Sequence, residues 1–289
     1  VEIDENFHIN IVDFIAKANA SKSKFLLLSH MRGHITNMDK LVEICKTLNI
    51  QIIEDCAHTM GAKWNGKRSG NFGLVSAFST QTYKHINSGE GGFLVTNDDE
   101  VIARAIMHSG SYMLYEKHAS SPNSDIFEKV KLKTANFSGR MDNLRSSILI
   151  PQLKDLDNKV IKWNNLYKEL YNRLKTQNGI FIPNRDKREL YVGSSIQFRL
   201  KDFADKKIQD FIKNCKKRGV DLKWFGDKNP IAYTSRYDSW KYLENIPVLK
   251  NTLEILKTTL DMRIPLTFDN NDCRVIAEII IEEFRKLKL

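Results

Sequence analysis

The sequence predicts an α/β layered domain followed by a smaller α+β domain. Three observations predict it. Short apolar runs alternate with a helical pattern through the first hundred residues. A long helical stretch then begins at Met141. After roughly residue 178 the pattern changes to strand, helix and a terminal helix.

The elements follow in order. "KFLLLSH" (Lys24 to His30) is a short apolar run, the mark of a buried strand. "NMDKLVEICKTLN" (Asn37 to Asn49) carries apolar residues at 38, 41, 42, 44, 45 and 48, which is helical spacing with Asn37 placed as the N-cap. "IQIIED" (Ile50 to Asp55), "FGLVSAFST" (Phe72 to Thr80) and "GGFLVTN" (Gly91 to Asn97) read as three more strands. Val1 to Asp4 also reads as a strand. A helix between parallel strands places ligands at the carboxyl ends of those strands. Asp55 and Ser79 both fall at such ends. Within the helical stretch from Met141, Pro151 is expected to bend or break the helix. "SSIQFRL" reads as a strand, while "DKKIQDFIKNCKKRG" and "NNDCRVIAEIIIEEFRKLKL" read as helices. The expected division is a large domain with its connecting helix over 1–177 and a small α+β domain over 178–289.

Composition narrows the function classes. With 289 residues and 42% hydrophobic content the chain can bury substantial cores. It has no run of about 18 apolar residues, so no membrane span is expected. The opening "VEIDENFHIN" has neither the basic nor the apolar region of a signal peptide, and a cytoplasmic location is expected. Cys45, Cys56, Cys215 and Cys273 lack CxxC spacing, which favours reduced, buried cysteines over disulfides or zinc ligands. The net charge of +10 reads first as a solvated basic surface, with an attraction for anionic small molecules or nucleic acid as the alternative. No helix-turn-helix, zinc-finger or RNP-like signature accompanies it, so no nucleic-acid partner is expected.

Three stretches concentrate chemistry. "IIEDCAHTMGA" ends a buried strand on Glu54 and Asp55. "STQTYKHINSGEGG" places Lys84 between hydroxyl residues and a glycine-rich turn. "NFSGRMDNLRSSIL" leads through a Gly-Arg step into a helix. Taken singly, each has an ordinary reading: a strand-end cap, a surface lysine, a turn arginine. Jointly they suit pyridoxal phosphate, which needs a lysine, an acid beneath the pyridinium nitrogen and donors for the phosphate. Asp55 and Lys84 stand 29 residues apart, room for a loop and one strand that return the chain to the same sheet edge.

At this point the sequence resembles the DegT-type sugar aminotransferases, which are fold-type-I PLP enzymes. The resemblance rests on "HMRGHITNMDKL", "IIEDCAHTMGAKWNGKRSGNFGLVSAFST", "YKHINSGEGGFLVTND" and "NFSGRMDNLRSSILIPQL", in order across roughly residues 24 to 160. "GVDLKWF" and "MRIPLTFDNNDCRVIAEII" match the family's C-terminal domain more loosely. The resemblance implies a mixed, mostly parallel sheet in a three-layer large domain. By it, Lys84 is the Schiff-base lysine and the base that moves the proton in transamination. Asp55 is the acid under the pyridinium nitrogen. His58 lies near the ring oxygen, and Ser79 binds phosphate. Ser138 and Arg140 reach the phosphate of a neighbouring subunit in a homodimer. The implied reaction is transamination of a nucleotide-linked keto-sugar, with an amino acid, expected to be glutamate, as donor, in polysaccharide or glycan precursor synthesis.

The sequence also departs from the family. Ser138 stands where an asparagine is usual, and no histidine marks the start of the C-terminal strand near Ser194 and Ser195. All seven histidines lie in the first 118 residues. Family members carry a segment ahead of the region matching Val1, with a Gly-Thr/Ser-Ala phosphate turn and a ring-stacking aromatic residue. Neither motif is present in these residues. The expectations left open are a fragment, a counterpart segment on another chain, or a non-catalytic remnant of the family. A PLP-dependent sugar dehydratase is disfavoured, because relatives with that chemistry replace the lysine by histidine and Lys84 is kept. A bare nucleotide-binding protein has no GxGxxG or Walker motif behind it.

Overall fold

Alternation of apolar residues along the first strands decides which side of the sheet is buried. The computed structural model describes residues 1–111, 113–229, 236–241 and 244–288. These fall into two compact units: Ala18–Asp157 with Arg188–Leu190, and Val1–Lys17 with Asn158–Lys187 and Tyr191–Leu289.

In the unit built on Ala18–Asp157, strands β1 (Phe25–Ser29) and β2 (Gln51–Asp55) pair in parallel, as does β2 with β5 (Val75–Ser79). Strand β6 (Gly92–Thr96) joins β5 antiparallel, giving the order β1-β2-β5-β6. This is the mixed, mostly parallel sheet expected. Helix α2 (Met38–Thr47) packs on β2 and buries Met38, Leu41 and Cys45. Asn37 is its N-cap, accepting the Lys40 amide as the sequence predicts. Leu26, Leu28, Ile52, Glu54 and Ser76 form the buried side of the sheet. The other side leaves Phe25 58%, Leu27 70% and Leu94 45% exposed. Register places Ser29, Asp55, Ala77 and Ser79 on that open side, at its carboxyl edge.

Smaller elements complete this unit. Strands β3 (Lys63–Trp64) and β4 (Lys67–Arg68) form a short sheet with β8 (Glu189–Leu190). Helix α3 (Asp99–Ser109) runs from the Asp98 cap to left-handed Gly110. It shares a core with α4 (Ser124–Val130), through Ala103, Ile106, Met107, Phe127 and Val130. Helix α5 (Asn143–Lys154) contains Pro151 and ends one turn later at Asp155. The helical stretch is therefore broken, but just past the proline rather than at it.

The second unit holds most of helix α6 (Leu156–Leu174) and an antiparallel sheet. Its order is β10-β11-β9-β7, from β7 (Ile180–Phe181), β9 (Ser195–Leu200), β10 (Lys223–Trp224) and β11 (Thr259–Arg263). Helices α7 (Asp205–Lys217), α8 (Lys250–Lys257) and α9 (Asn270–Lys286) complete it, α9 starting with a capping box between Asp269 and Asp272. The amino-terminal residues and the first turns of α1 (Ile11–Ser21) belong to this unit. Glu2 accepts the Thr252 amide at 2.7 Å and its hydroxyl at 2.6 Å, capping the start of α8. Val1 to Asp4 is not the strand the sequence suggests. The Asp4 carboxylate accepts the Asn6 and His8 amides, which folds the segment into a turn with a single bridge from Ile3 to Ile9.

Glu54 anchors the buried side of the first sheet. It is fully enclosed, and its oxygens accept the amides of Gly70 (3.0 Å), Phe72 (2.7 Å) and Gly73 (2.9 Å) and the His30 imidazole (3.3 Å). Burial alone would raise its pKa. The His30 hydrogen bond and the amides override burial and hold it below the ordinary 4.5. Glu54→Gln replaces one accepting oxygen by an amide that cannot accept, so we expect a loss of about 2–4 kcal/mol at neutral pH. A folded-state pKa below 4.5 means this stabilisation is complete above 4.5 and fades as pH falls through the folded value. Denaturant unfolding at pH 7 and in strong acid should therefore show a gap that narrows in acid. An equal gap at both would remove the carboxylate from the account.

Candidate active site

Asp55 ends β2, and its place is fixed by neighbours on both sides. Its backbone pairs with Ser29 and Ala77. Its carbonyl accepts the His30 amide at 3.2 Å. Its carboxylate accepts the Ser29 hydroxyl at 2.8 Å on Oδ2 and the Ala57 amide at 3.1 Å on Oδ1. The chain then turns through Cys56, whose amide donates to the Ala77 carbonyl, and Thr59, whose amide donates back to Cys56. That turn carries half-buried His58.

Lys84 comes to the same place from β5. The segment after Ser79 is a loop closed on itself. Thr80 and Thr82 amides donate to Gly91 and Gly89 carbonyls at 2.9 Å each, and the Ser88 amide donates to Thr80 at 3.0 Å. The Lys84 amide donates to Gln81, which turns the side chain back. Lys84 Nζ then lies 3.3 Å from His58 Nε2. An ammonium donor fits the His58 tautomer that leaves Nε2 bare. The "GEGG" stretch has a steric reason. Gly91 has φ of +131°, and a Cβ there would meet Met141 Cε at 2.6 Å and Thr80 Oγ1 at 2.8 Å. A Cβ on Gly92 would meet the Phe78 carbonyl at 2.6 Å. Helix α5 braces the loop, because Gln152 accepts the Asn87 amide at 3.0 Å and donates to its carbonyl at 2.7 Å.

Of the residues singled out by sequence, Asp55, His58, Ser79 and Lys84 gather at one sheet edge. Ser79 ends β5, with its hydroxyl accepting the Gln81 amide at 3.3 Å. Ser138 and Arg140 have other local partners. Ser138 is exposed, left-handed at φ of 51°, and its amide donates to Asn136. Arg140 donates to the Gly110 carbonyl at 3.2 Å and caps the end of α3. Met141, the next residue, lies against the Gly91 turn. Sequence reading missed Ser29, Asn87 and Gln152 as supports of this edge. Ser29 was legible as the last residue of a strand neighbouring β2; the Asn87–Gln152 clamp spans 65 positions and leaves no local signal.

Two other features compete for attention. The ligand atoms of His30, Glu54 and Cys56 lie within 4.8 Å of one another and are metal-binding types. The Glu54 oxygens already hold three amides and the imidazole, and burial pushes the Cys56 thiol up to about 12. The Cys56 sulfur lies 3.4 Å from the Ser69 hydroxyl, so each member of the cluster already has a polar partner within the fold. A mostly apolar hollow of about 520 Å³ borders β6, lined by Met60, Phe78, Phe93, Val95, Leu153 and Leu156, with the Arg68–Asp157 ion pair also on its wall. Asp55, His58, Ser79 and Lys84 do not line it.

The chain is similar to known proteins. The model of the DegT/DnrJ/EryC1/StrS aminotransferase family matches residues 1–280. The GDP-perosamine synthase of Escherichia coli O157:H7 is 29% identical over 174 residues, 59% of this chain and 44% of that protein. The solved structure of Helicobacter pylori PseC, an aminotransferase involved in the biosynthesis of pseudoaminic acid, has a TM-score of 0.83 at 17% identity, covering 99% of this chain and 73% of that one. E. coli GDP-4-keto-6-deoxy-D-mannose-3-dehydratase with bound hydrated PLP gives 0.77 at 22% identity, covering 97% and 73%. At these identities the solved structures establish the fold, PLP-dependent transferase fold type I. The chain spans less than half the length of the curated relatives it matches, 44% and 40% of the first two.

Proposed function

The chain belongs to the DegT/DnrJ/EryC1/StrS aminotransferase family, and from that membership we propose a PLP-dependent aminotransferase acting on a nucleotide-linked keto-sugar, with glutamate as amino donor. One observation carries the reading: Lys84 Nζ, 3.3 Å from His58, stands at the same sheet edge as the doubly held carboxylate of Asp55. An acid, an amine and hydroxyls gathered at one strand end are the donor set this cofactor needs.

Bound there, PLP would supply an aldehyde that condenses with amines and a ring that accepts electrons. The protein's own groups do the rest. Asp55 would face the ring nitrogen and help to keep its proton there. Lys84 would hold the cofactor, and its amine would serve as the base that moves a proton at the substrate carbon. His58 keeps Lys84 Nζ oriented through their hydrogen bond. Ser79, half-buried at the end of β5, would donate its hydroxyl to the phosphate. The basic surface, with a net charge of +10, suits an anionic nucleotide-sugar. Free, buried cysteines at 45, 56, 215 and 273 suit a reducing, cytoplasmic setting. Among the described residues no helix is long and apolar enough to cross a membrane.

The same reading makes the enzyme a homodimer, with Ser138 and Arg140 directed at the phosphate held by the partner subunit. Helix α5 supports a subunit contact, because Leu144, Ile148, Ile150 and Leu153 are 72%, 44%, 56% and 55% exposed. Arginine suits the role through its planar, permanently charged fork.

Two experiments test this. In the full-length protein, Lys84→Ala should abolish transamination. Asp55→Asn should lower turnover by orders of magnitude with cofactor still bound, since it weakens the electron sink without emptying the site. Turnover retained in Lys84→Ala would end the aminotransferase reading. For the shared site, mixing inactive Lys84→Ala with inactive Arg140→Ala should restore part of the activity, because each mixed dimer holds one intact pair. Mixed dimers that form and stay inactive would place Arg140 in service of its own chain, at the end of α3.

A further inference from the structure

We propose that Ser29 is a positioning residue for Asp55, setting the plane of the carboxylate that meets the cofactor's ring nitrogen. The inference rests on the function proposed above. The neighbouring strands leave Asp55 little other freedom. Its backbone is locked between Ser29 and Ala77 in the sheet, and its carbonyl is held by the His30 amide at 3.2 Å. The His30 ring is tied in turn to Glu54 at 3.3 Å, and Glu54 to three amides on the buried side. What remains free are the two torsions of the side chain, which aim and tilt the carboxylate. Two donors fix these torsions, one on each oxygen: the Ala57 amide at 3.1 Å and the Ser29 hydroxyl at 2.8 Å.

Ser29 is the shorter contact and the side chain of that pair. It stands directly opposite Asp55 in the register of β1 and β2, on the open side of the sheet. A serine exposed at a strand end could be served by water. Here it is turned onto a carboxylate instead, which gives a charge-assisted hydrogen bond of fixed direction. Each carboxylate oxygen has a further lone pair, so the grip leaves the group able to accept from a ring nitrogen. A group that holds a contacting carboxylate from behind tunes that contact without touching the ligand.

The test is a double-mutant cycle read by cofactor affinity, not by turnover. Equilibrium dialysis of PLP against the full-length protein is compared for the unaltered chain, Ser29→Ala, Asp55→Asn and the double variant, with Ser29→Thr as the conservative control. We expect Ser29→Ala to weaken binding about tenfold, the scale of one lost charge-assisted hydrogen bond. In the Asp55→Asn background the same change should cost less than about twofold, and Ser29→Thr should bind like the unaltered chain. An equal loss in both backgrounds, or no loss in either, overturns the positioning role. If the unaltered protein itself fails to bind PLP, the proposed function falls and takes this inference with it; that outcome shows in the unaltered protein alone.

Discussion

The enclosed carboxylate of Glu54 is the interaction on which the rest of the first unit depends. A fully buried charge is tolerated when every lone pair finds a donor. Glu54 meets that condition with three backbone amides from one loop and the imidazole of His30, the residue after β1. The loop over 70–73 cannot move without leaving the charge unpaired. The end of β2 cannot slide by one residue, because a slip would exchange Glu54 and Asp55 between the buried and open sides. Two acids in sequence thus have opposite fates, one structural and one available.

That division explains how a site can be built at an exposed sheet edge with rigid parts. Asp55 takes its position from a strand that Glu54 has pinned. Lys84 takes its position from a loop that closes on itself through Thr80 and Thr82 and is braced by Gln152. His58 joins the two, since it sits in the turn after Asp55 and reaches Lys84 Nζ. Sites supported in this way hold their geometry because the supporting groups are themselves satisfied. The enclosed His85 beside Lys84 adds to this. Burial, helped by the Lys84 charge, lowers its pKa to about 4, so it stays neutral and does not compete as a cation.

Much of the fold was legible because apolar runs and caps are local signals. The strands beginning at Phe25, Gln51 and Val75, the Asn37 cap and the terminal helix from Asn270 all stood in the sequence as periodicity plus boundary residues. Helix α3 is equally marked in the sequence, by Asp98 at its start and Gly110 at its end, but its apolar face is less dense than the strand runs around it. The turn at Val1–Asp4 misled, since β-branched and acidic residues alternate as in a strand while Asp4 folds them back through its own side chain. For the site, the acid and the lysine were readable as strand-end residues. The brace from Gln152 was not, because it acts across 65 positions; Ser29 stood at a legible strand end, but its bond to Asp55 depends on the pairing of β1 with β2. Arg140 was read toward a phosphate, and its capping of Gly110 became visible with the structure.

The proposed function places PLP at the edge holding Asp55, His58 and Lys84, bound through Lys84. The most direct measurement is borohydride reduction of the full-length protein incubated with PLP, followed by mass spectrometry of its peptides. The account predicts one stoichiometric pyridoxyl adduct, on the peptide containing Lys84, and its loss in Lys84→Ala. Stoichiometric labelling of a different lysine, or no labelling of the unaltered protein, would contradict it.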